Sequence, residues 1–100
     1  MLIEEIFGIH FEIIPDIRVD IIKKKFEKVF KYIKKELINY IEIAELDEIY
    51  IYINKEGEPD TEWNYSTLQI LDLLNIFGFD AFLSEQDYGY IDVIVINEWL

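Results

Sequence analysis

The sequence predicts an α+β domain with the element order β-α-β-α-β-β, a two-layer sandwich in which two helices pack on one face of a mainly antiparallel four-stranded sheet. Three observations predict this fold class. Apolar residues recur every three to four positions over residues 20–41, alternate with polar ones over residues 48–54, and fill most positions of residues 67–77. A chain of 100 residues that are 52% hydrophobic is typical of a single globular domain, which we expect to cover residues 1–100.

The first half of the chain predicts a strand followed by a long helix. Residues 2–14 read as a strand or a bent pair of strands, with the bend at Gly8. The helix is expected to be capped by Asp16 or Asp20 and to continue to about Ile41. Its apolar stripe consists of Ile22, Phe26, Val29, Phe30, Ile33, Leu37, Tyr40 and Ile41. The opposite side of the same helix is predicted to carry a row of exposed bases: Lys24, Lys28, Lys31 and Lys35.

The middle of the chain predicts a second strand and a second helix. Residues 48–54 alternate strictly, so three isoleucines share one face and Tyr50 and Tyr52 share the other. The second helix is predicted to run over about residues 67–77, with Ser66 beginning a capping box. Because its polar edge is narrow, we expect this helix to be buried nearly all round.

Two further strands, at residues 79–85 and 90–97, are predicted to form a closing hairpin with Gly89 in its loop. The last strand is apolar on both faces, which is typical of a central strand covered on both sides. Two helices can cover only one face of the sheet. An apolar patch is therefore predicted on the other face, formed by Tyr50, Tyr52, Ile94 and Ile96. Such a patch usually marks an interface, and we expect a symmetric homodimer.

Charge is unevenly distributed along the chain. The 21 acidic and 9 basic residues give a formal net charge of −12. Residues 18–35 contain eight of the bases and only two acids, whereas residues 36–100 contain fifteen acids and a single base, Lys55. We therefore expect a basic helix on an acidic body.

The residues that would support catalysis or cofactor binding are few. The chain lacks cysteine, which excludes a disulfide framework and a thiolate metal site. His10 is the only histidine, and we interpret it as a strand-face side chain without a catalytic role. Phosphate-binding and dinucleotide-binding glycine motifs are absent, as is the Glu-x-Lys pattern of restriction-type nucleases. The protein is thus predicted to be neither an enzyme nor a holder of a metal or cofactor.

The acidic second half of the chain carries aromatic residues among its acids. We interpret this segment as a docking surface for the basic cleft of another protein. The acidic run begins at Glu42, and the predicted surface consists of Glu45, Asp47, Glu48, Tyr50, Tyr52, Glu56, Glu58, Asp60, Glu62 and Trp63. Small acidic domains of this size are often inhibitors, such as viral or phage anti-defence proteins and toxin immunity proteins, and this class and size analogy motivates the functional hypothesis.

Two alternatives remain open at this stage. The lysine row would allow a small nucleic-acid-binding module, although the acidic body would repel nucleic acid. A purely structural, self-associating protein of viral type is the other alternative. The acidic N-terminus and the lack of a long uncharged run predict no membrane span and a cytoplasmic location.

Overall fold

The structure, a computed structural model, describes residues 2–45, 47–55, 65–85 and 89–100. Six strands, two α-helices and one short 3₁₀ turn make up this part of the chain. In chain order they are β1 (Leu2–Ile6), β2 (Ile9–Ile13), α1 (Val19–Phe30), the 3₁₀ turn (Lys35–Leu37), β3 (Ile38–Glu45), β4 (Glu48–Asn54), α2 (Tyr65–Ile76), β5 (Asp80–Leu83) and β6 (Ile91–Asn97).

The strands form one six-stranded sheet in the order β1-β2-β3-β4-β6-β5. Neighbouring strands are antiparallel except β2 and β3, which are parallel and are connected through α1. The predicted α+β class with two helices is confirmed. The sheet is mainly antiparallel, as predicted, but the predicted number of four strands is too low, because residues 2–13 form a hairpin of two strands and the last residues of the predicted long helix belong to β3. Phe7 and Gly8 make the hairpin turn with φ values of 59° and 76°.

The first helix is shorter than predicted. It ends at Phe30 with Lys31 as its C-cap, and the chain enters β3 at Ile38. The apolar pattern of residues 38–43 also fits a period of two, since Ile41 and Ile43 are buried while Glu42 between them is half-buried on the opposite face. Pairing with β2 on one side and β4 on the other favours the strand over the helix, because a strand at this position forms backbone hydrogen bonds with both neighbouring strands.

Neither predicted cap is present at the start of α1. Arg18 occupies the N-cap position and makes no side-chain capping hydrogen bond. Asp20 lies inside the first turn, where its carboxylate accepts two hydrogen bonds from the Arg18 guanidinium. The negative charge of Asp20 also interacts favourably with the positive end of the helix dipole. Ser66 is likewise inside α2 instead of capping it.

Both helices lie on the same side of the sheet and share one hydrophobic core with it. In this core, Ile22 and Phe26 of α1 and Leu74 of α2 belong to one buried cluster with the isoleucines of the strands. Phe26 is at its centre, with its ring stacked on Phe79 at 4.7 Å between centroids. Two helices on one face leave the opposite sheet face without a helix among the described residues.

The second helix is not buried all round, contrary to the prediction. Only Thr67, Ile70 and Leu74 are buried, while Ile76 is 77% exposed. Among the described residues the helix packs mainly against β5 and β6 at the end of the sheet, and these strands cover one of its sides. Gly78, with φ of 94°, follows the helix as predicted.

The predicted apolar patch of Tyr50, Tyr52, Ile94 and Ile96 is also wrong. The antiparallel register pairs Ile94 with Ile51 and Ile96 with Ile49, so both isoleucines point into the core beneath the helices. The valines of β6 instead share the tyrosines' face, since Val93 pairs with Tyr52 and Val95 with Tyr50. The predicted burial of β6 on both faces is confirmed, because all residues of 92–96 are buried.

Candidate functional site

The face of the sheet opposite the helices carries carboxylates and tyrosines in neighbouring positions of three strands. The strands β2, β3 and β4 each alternate, with isoleucine or phenylalanine pointing to the core and a polar or aromatic residue pointing away from it. The registers of these strands bring the outward residues side by side. We call this surface the acid–aromatic face; it consists of Glu12, Tyr40, Glu42, Glu48, Tyr50 and Tyr52.

Stacked rings form the centre of the acid–aromatic face. Tyr40 and Tyr52 are a cross-strand pair whose ring centroids lie 4.3 Å apart with an angle of 12° between the planes. His10 on β2 approaches Tyr40 edge-on at 6.3 Å. Offset stacking of this kind fixes ring orientation and adds about 1 kcal/mol beyond area burial. The face is thus a preformed, rigid aromatic platform.

Two of the three carboxylates of the face accept hydrogen bonds from tyrosine hydroxyls. Tyr52 donates a hydrogen bond to Glu42 Oε1 at 3.4 Å, and Tyr50 donates one to Glu48. Glu12 and Glu42 are adjacent on the parallel strands β2 and β3, and both are half-buried. These two adjacent carboxylates make the local electrostatic potential more negative, and their mutual repulsion destabilises the pairing of β2 with β3. A cationic group from a partner would relieve this repulsion.

Two further predicted acids lie at one end of this face. Glu45 and Asp47 are exposed at the connection between β3 and β4, and Glu45 pairs with Glu48 in the register. These two acids and Glu48, Tyr50 and Tyr52 are the predicted site residues that the structure brings together. The remaining predicted acids and the tryptophan lie outside the described residues: Glu56, Glu58, Asp60, Glu62 and Trp63.

Tyr40 and Glu12 are members of this surface that were not predicted from the sequence, whereas Glu42 begins the acidic run that predicted it. Tyr40 was assigned to the predicted long helix, and Glu12 is far from β4 in sequence. The alternation of residues 40–43 and of residues 9–13 is the signal that would have placed both side chains on one face. At the β1 and β2 end, a groove of about 480 Å³ passes His10, Glu5 and Asn39.

The predicted lysine row is divided between two parts of the chain. Lys24 and Lys28 are exposed on α1, whereas Lys31 is its C-cap and Lys35 belongs to the 3₁₀ turn. Lys35 lies against the β1–β2 turn, since a Cβ built on Gly8 would be 3.1 Å from Lys35 Nζ. The prediction of a continuous lysine row on one helix face is therefore wrong. Because α1 covers the other side of the sheet, its lysines point away from the acid–aromatic face.

A buried polar cluster also lies on the helix side of the sheet. Lys55 Nζ is 3.5 Å from Asp92 Oδ1, and both side chains are 5% exposed or less. The hydroxyl of Thr67 on α2 donates to Asp92 Oδ2 at 2.7 Å. The cluster joins the end of β4, the start of β6 and the first turn of α2. The one charged residue inside the apolar β6 was a signal for it in the sequence.

The arrangement of the acid–aromatic face suits binding of a cationic surface. Among the described residues, no group of three or more His, Asp or Glu side chains is placed to hold a metal ion. Neither helix in the described ranges has the length and apolarity needed to cross a membrane.

The comparisons with known proteins add no relative. No family model, no curated protein and no solved structure matches the chain.

Proposed function

We propose that this protein is a non-catalytic binding protein whose acid–aromatic face docks onto a basic cleft of a partner. A nucleic-acid-handling enzyme fits this description, because its channel binds phosphates with clustered lysine and arginine. The protein would act as an inhibitor by occupying that channel, in the manner of anti-defence or immunity proteins. The observation that carries the proposal is the segregation of charge across the sheet, with Glu12, Glu42 and Glu48 around stacked tyrosines on one side and the lysines of α1 on the other.

The chemistry of the face matches that of protein interfaces. Tyrosine is enriched in binding hot spots because it offers a large, rigid surface with few rotatable bonds. Carboxylates around such a centre accelerate association with a basic partner and disfavour acidic ones. The net charge of −12 acts in the same direction over a longer range.

The test is affinity capture of a partner by the wild type, by a double charge-reversal variant of the acid–aromatic face, and by a matched control variant. Glu12→Lys with Glu42→Lys reverses two charges on the acid–aromatic face, while Asp20→Lys with Glu27→Lys makes the same change in net charge on exposed positions of α1. Wild type and the control pair should retain the same basic protein from nuclease-treated lysate, and the first pair should lose it. Titration with the purified partner should then show an association rate that falls with added salt.

A nucleic-acid-binding role is the second candidate, favoured by the four exposed lysines Lys23, Lys24, Lys25 and Lys28 on α1. In that case the wild type would retain nucleic acid at about 150 mM salt, and Lys24→Glu with Lys28→Glu would abolish the retention. Retention of nucleic acid with no loss for Glu12→Lys and Glu42→Lys would overturn the inhibitor proposal.

A further inference from the structure

The outward side of α2 is a second surface with no role in the proposed function. Its exposed residues follow helical spacing at Tyr65, Leu68, Asp72 and Ile76, so they form one stripe. Tyr65 and Ile76, at the two ends, are 74% and 77% exposed. This stripe is the part of the helix for which the sequence predicts a neighbour and the structure of one chain provides none among the described residues.

A groove beside α2 extends this surface. It has a volume of about 400 Å³ and is lined by Tyr32, Gln69, Asp72, Leu73 and Ile76. The ring of Tyr32, which is 67% exposed, contacts the ring of Phe77 at 5.7 Å between centroids. The stripe and the groove therefore make one continuous patch, which we call the α2 patch.

We propose that the α2 patch is the interface of a symmetric homodimer, in which the α2 helices of two copies pack antiparallel across a two-fold axis. Tyr32, Tyr65 and Phe77 expose roughly 350 Å² of aromatic surface at about 200 Å² per side chain. A standard interface buries about 800 Å² per partner; the three rings supply somewhat less than half of that area, and the exposed parts of Ile76 and Leu68 with the polar rim add to it.

Charge distribution identifies a second copy as the occupant. The α2 patch contains one acid, Asp72, and Lys34 lines an adjoining pocket that shares Tyr32, Gln69 and Leu73 with the groove, so the surface offers both charges to a second copy of itself. An antiparallel pair centred between Gln69 and Asp72 sets Tyr65 of one copy against Ile76 of the other. It also sets Gln69 against Asp72, and no like charges meet. The acid–aromatic face, by contrast, would place Glu12, Glu42 and Glu48 against their own copies in a symmetric dimer.

The first test is the mass of the protein in solution. Sedimentation equilibrium at micromolar concentrations should give twice the chain mass of 12.1 kDa for the wild type. Ile76→Glu should weaken self-association at least tenfold, because it places a charge in both halves of the interface. Ile3→Glu is the matched control, since Ile3 is 68% exposed on β1 at a distance from the patch, and it should leave the dimer intact.

The second test examines the antiparallel register. Gln69→Lys should tighten the dimer by pairing with Asp72 of the other copy, and Gln69→Asp should weaken it, each by up to about tenfold over the two symmetric contacts. A wild type that stays monomeric at these concentrations would overturn the proposal. So would a dimer that dissociates with Ile3→Glu and persists with Ile76→Glu, and Gln69 substitutions without effect would remove the antiparallel register.

Discussion

The buried pair of Lys55 and Asp92 allows a stability prediction worked from its geometry. At 3.5 Å the Coulomb attraction is about 5 kcal/mol for an effective dielectric constant of 20. Removing both charges from water costs several kcal/mol per ion, so the intact pair contributes little in net terms. Truncating one partner is different, because the other charge stays buried after its counter-ion is lost. We expect Asp92→Ala to lower the free energy of unfolding by about 3–5 kcal/mol, including the lost acceptor for Thr67.

Urea denaturation followed by circular dichroism measures this effect. A loss of about 4 kcal/mol shifts the midpoint by roughly 2 M for a domain of this size. The double substitution Lys55→Met with Asp92→Leu should restore most of the stability, since it removes the desolvation cost together with the attraction. All variants are compared at one protein concentration because dimerisation would add to apparent stability.

The exposed pair of Arg18 and Asp20 is the control. Its atoms are closer, at 2.7 Å, but its side chains are 76% and 63% exposed, so Arg18→Ala should cost at most about 1 kcal/mol. An Asp92→Ala cost no larger than that of Arg18→Ala would refute the expected penalty of an unpaired buried charge. So would a double substitution that is as unstable as Asp92→Ala alone.

Two further predictions concern the turn and the acid–aromatic face. Gly8→Ala should cost about 1–2 kcal/mol in the same assay because φ at this position is 76°. Gly89 is the control, because its φ is 74° and a Cβ added there would meet no atom within 4 Å, so Gly89→Ala measures the backbone cost alone. An equal loss of stability for both substitutions would show that the Lys35 side chain moves away from the new Cβ at position 8. Glu42→Gln should raise stability by several tenths of a kcal/mol by relieving repulsion with Glu12, while weakening partner capture; a loss of stability would contradict the assigned repulsion.

The elements predicted well from the sequence are those specified by local signals. The alternation of β4, the bend at Gly8 and the glycine after α2 each depend on a few consecutive residues, and each is present in the structure. The extent of α1 was not predictable in this way. Residues 38–41 satisfy a helical period and a strand period at once, and the choice depends on β2, which is about 30 residues earlier in the chain.

The site shows the same division. Tyr50 and Tyr52 were placed correctly on an outward face because they alternate with isoleucines within a single strand. Their neighbours Tyr40 and Glu12 depend on the register between strands, and so does the assignment of Val93 and Val95 to this face in place of Ile94 and Ile96. The ion pair of Lys55 and Asp92 required the same long-range information, since the two residues come together only when β4 pairs with β6.

The positions of the two proposed surfaces have a joint consequence. The α2 patch is on the helix side of the sheet, and the acid–aromatic face is on the other side. A dimer formed through α2 therefore leaves both acid–aromatic faces free and directed away from each other. Such a dimer is suited to a partner that presents two basic clefts or assembles as an oligomer, because the second contact then forms at a high effective concentration. Ile76→Glu should in that case weaken capture of an oligomeric partner although it leaves every residue of the acid–aromatic face unchanged, whereas capture of a monomeric partner should be unaffected.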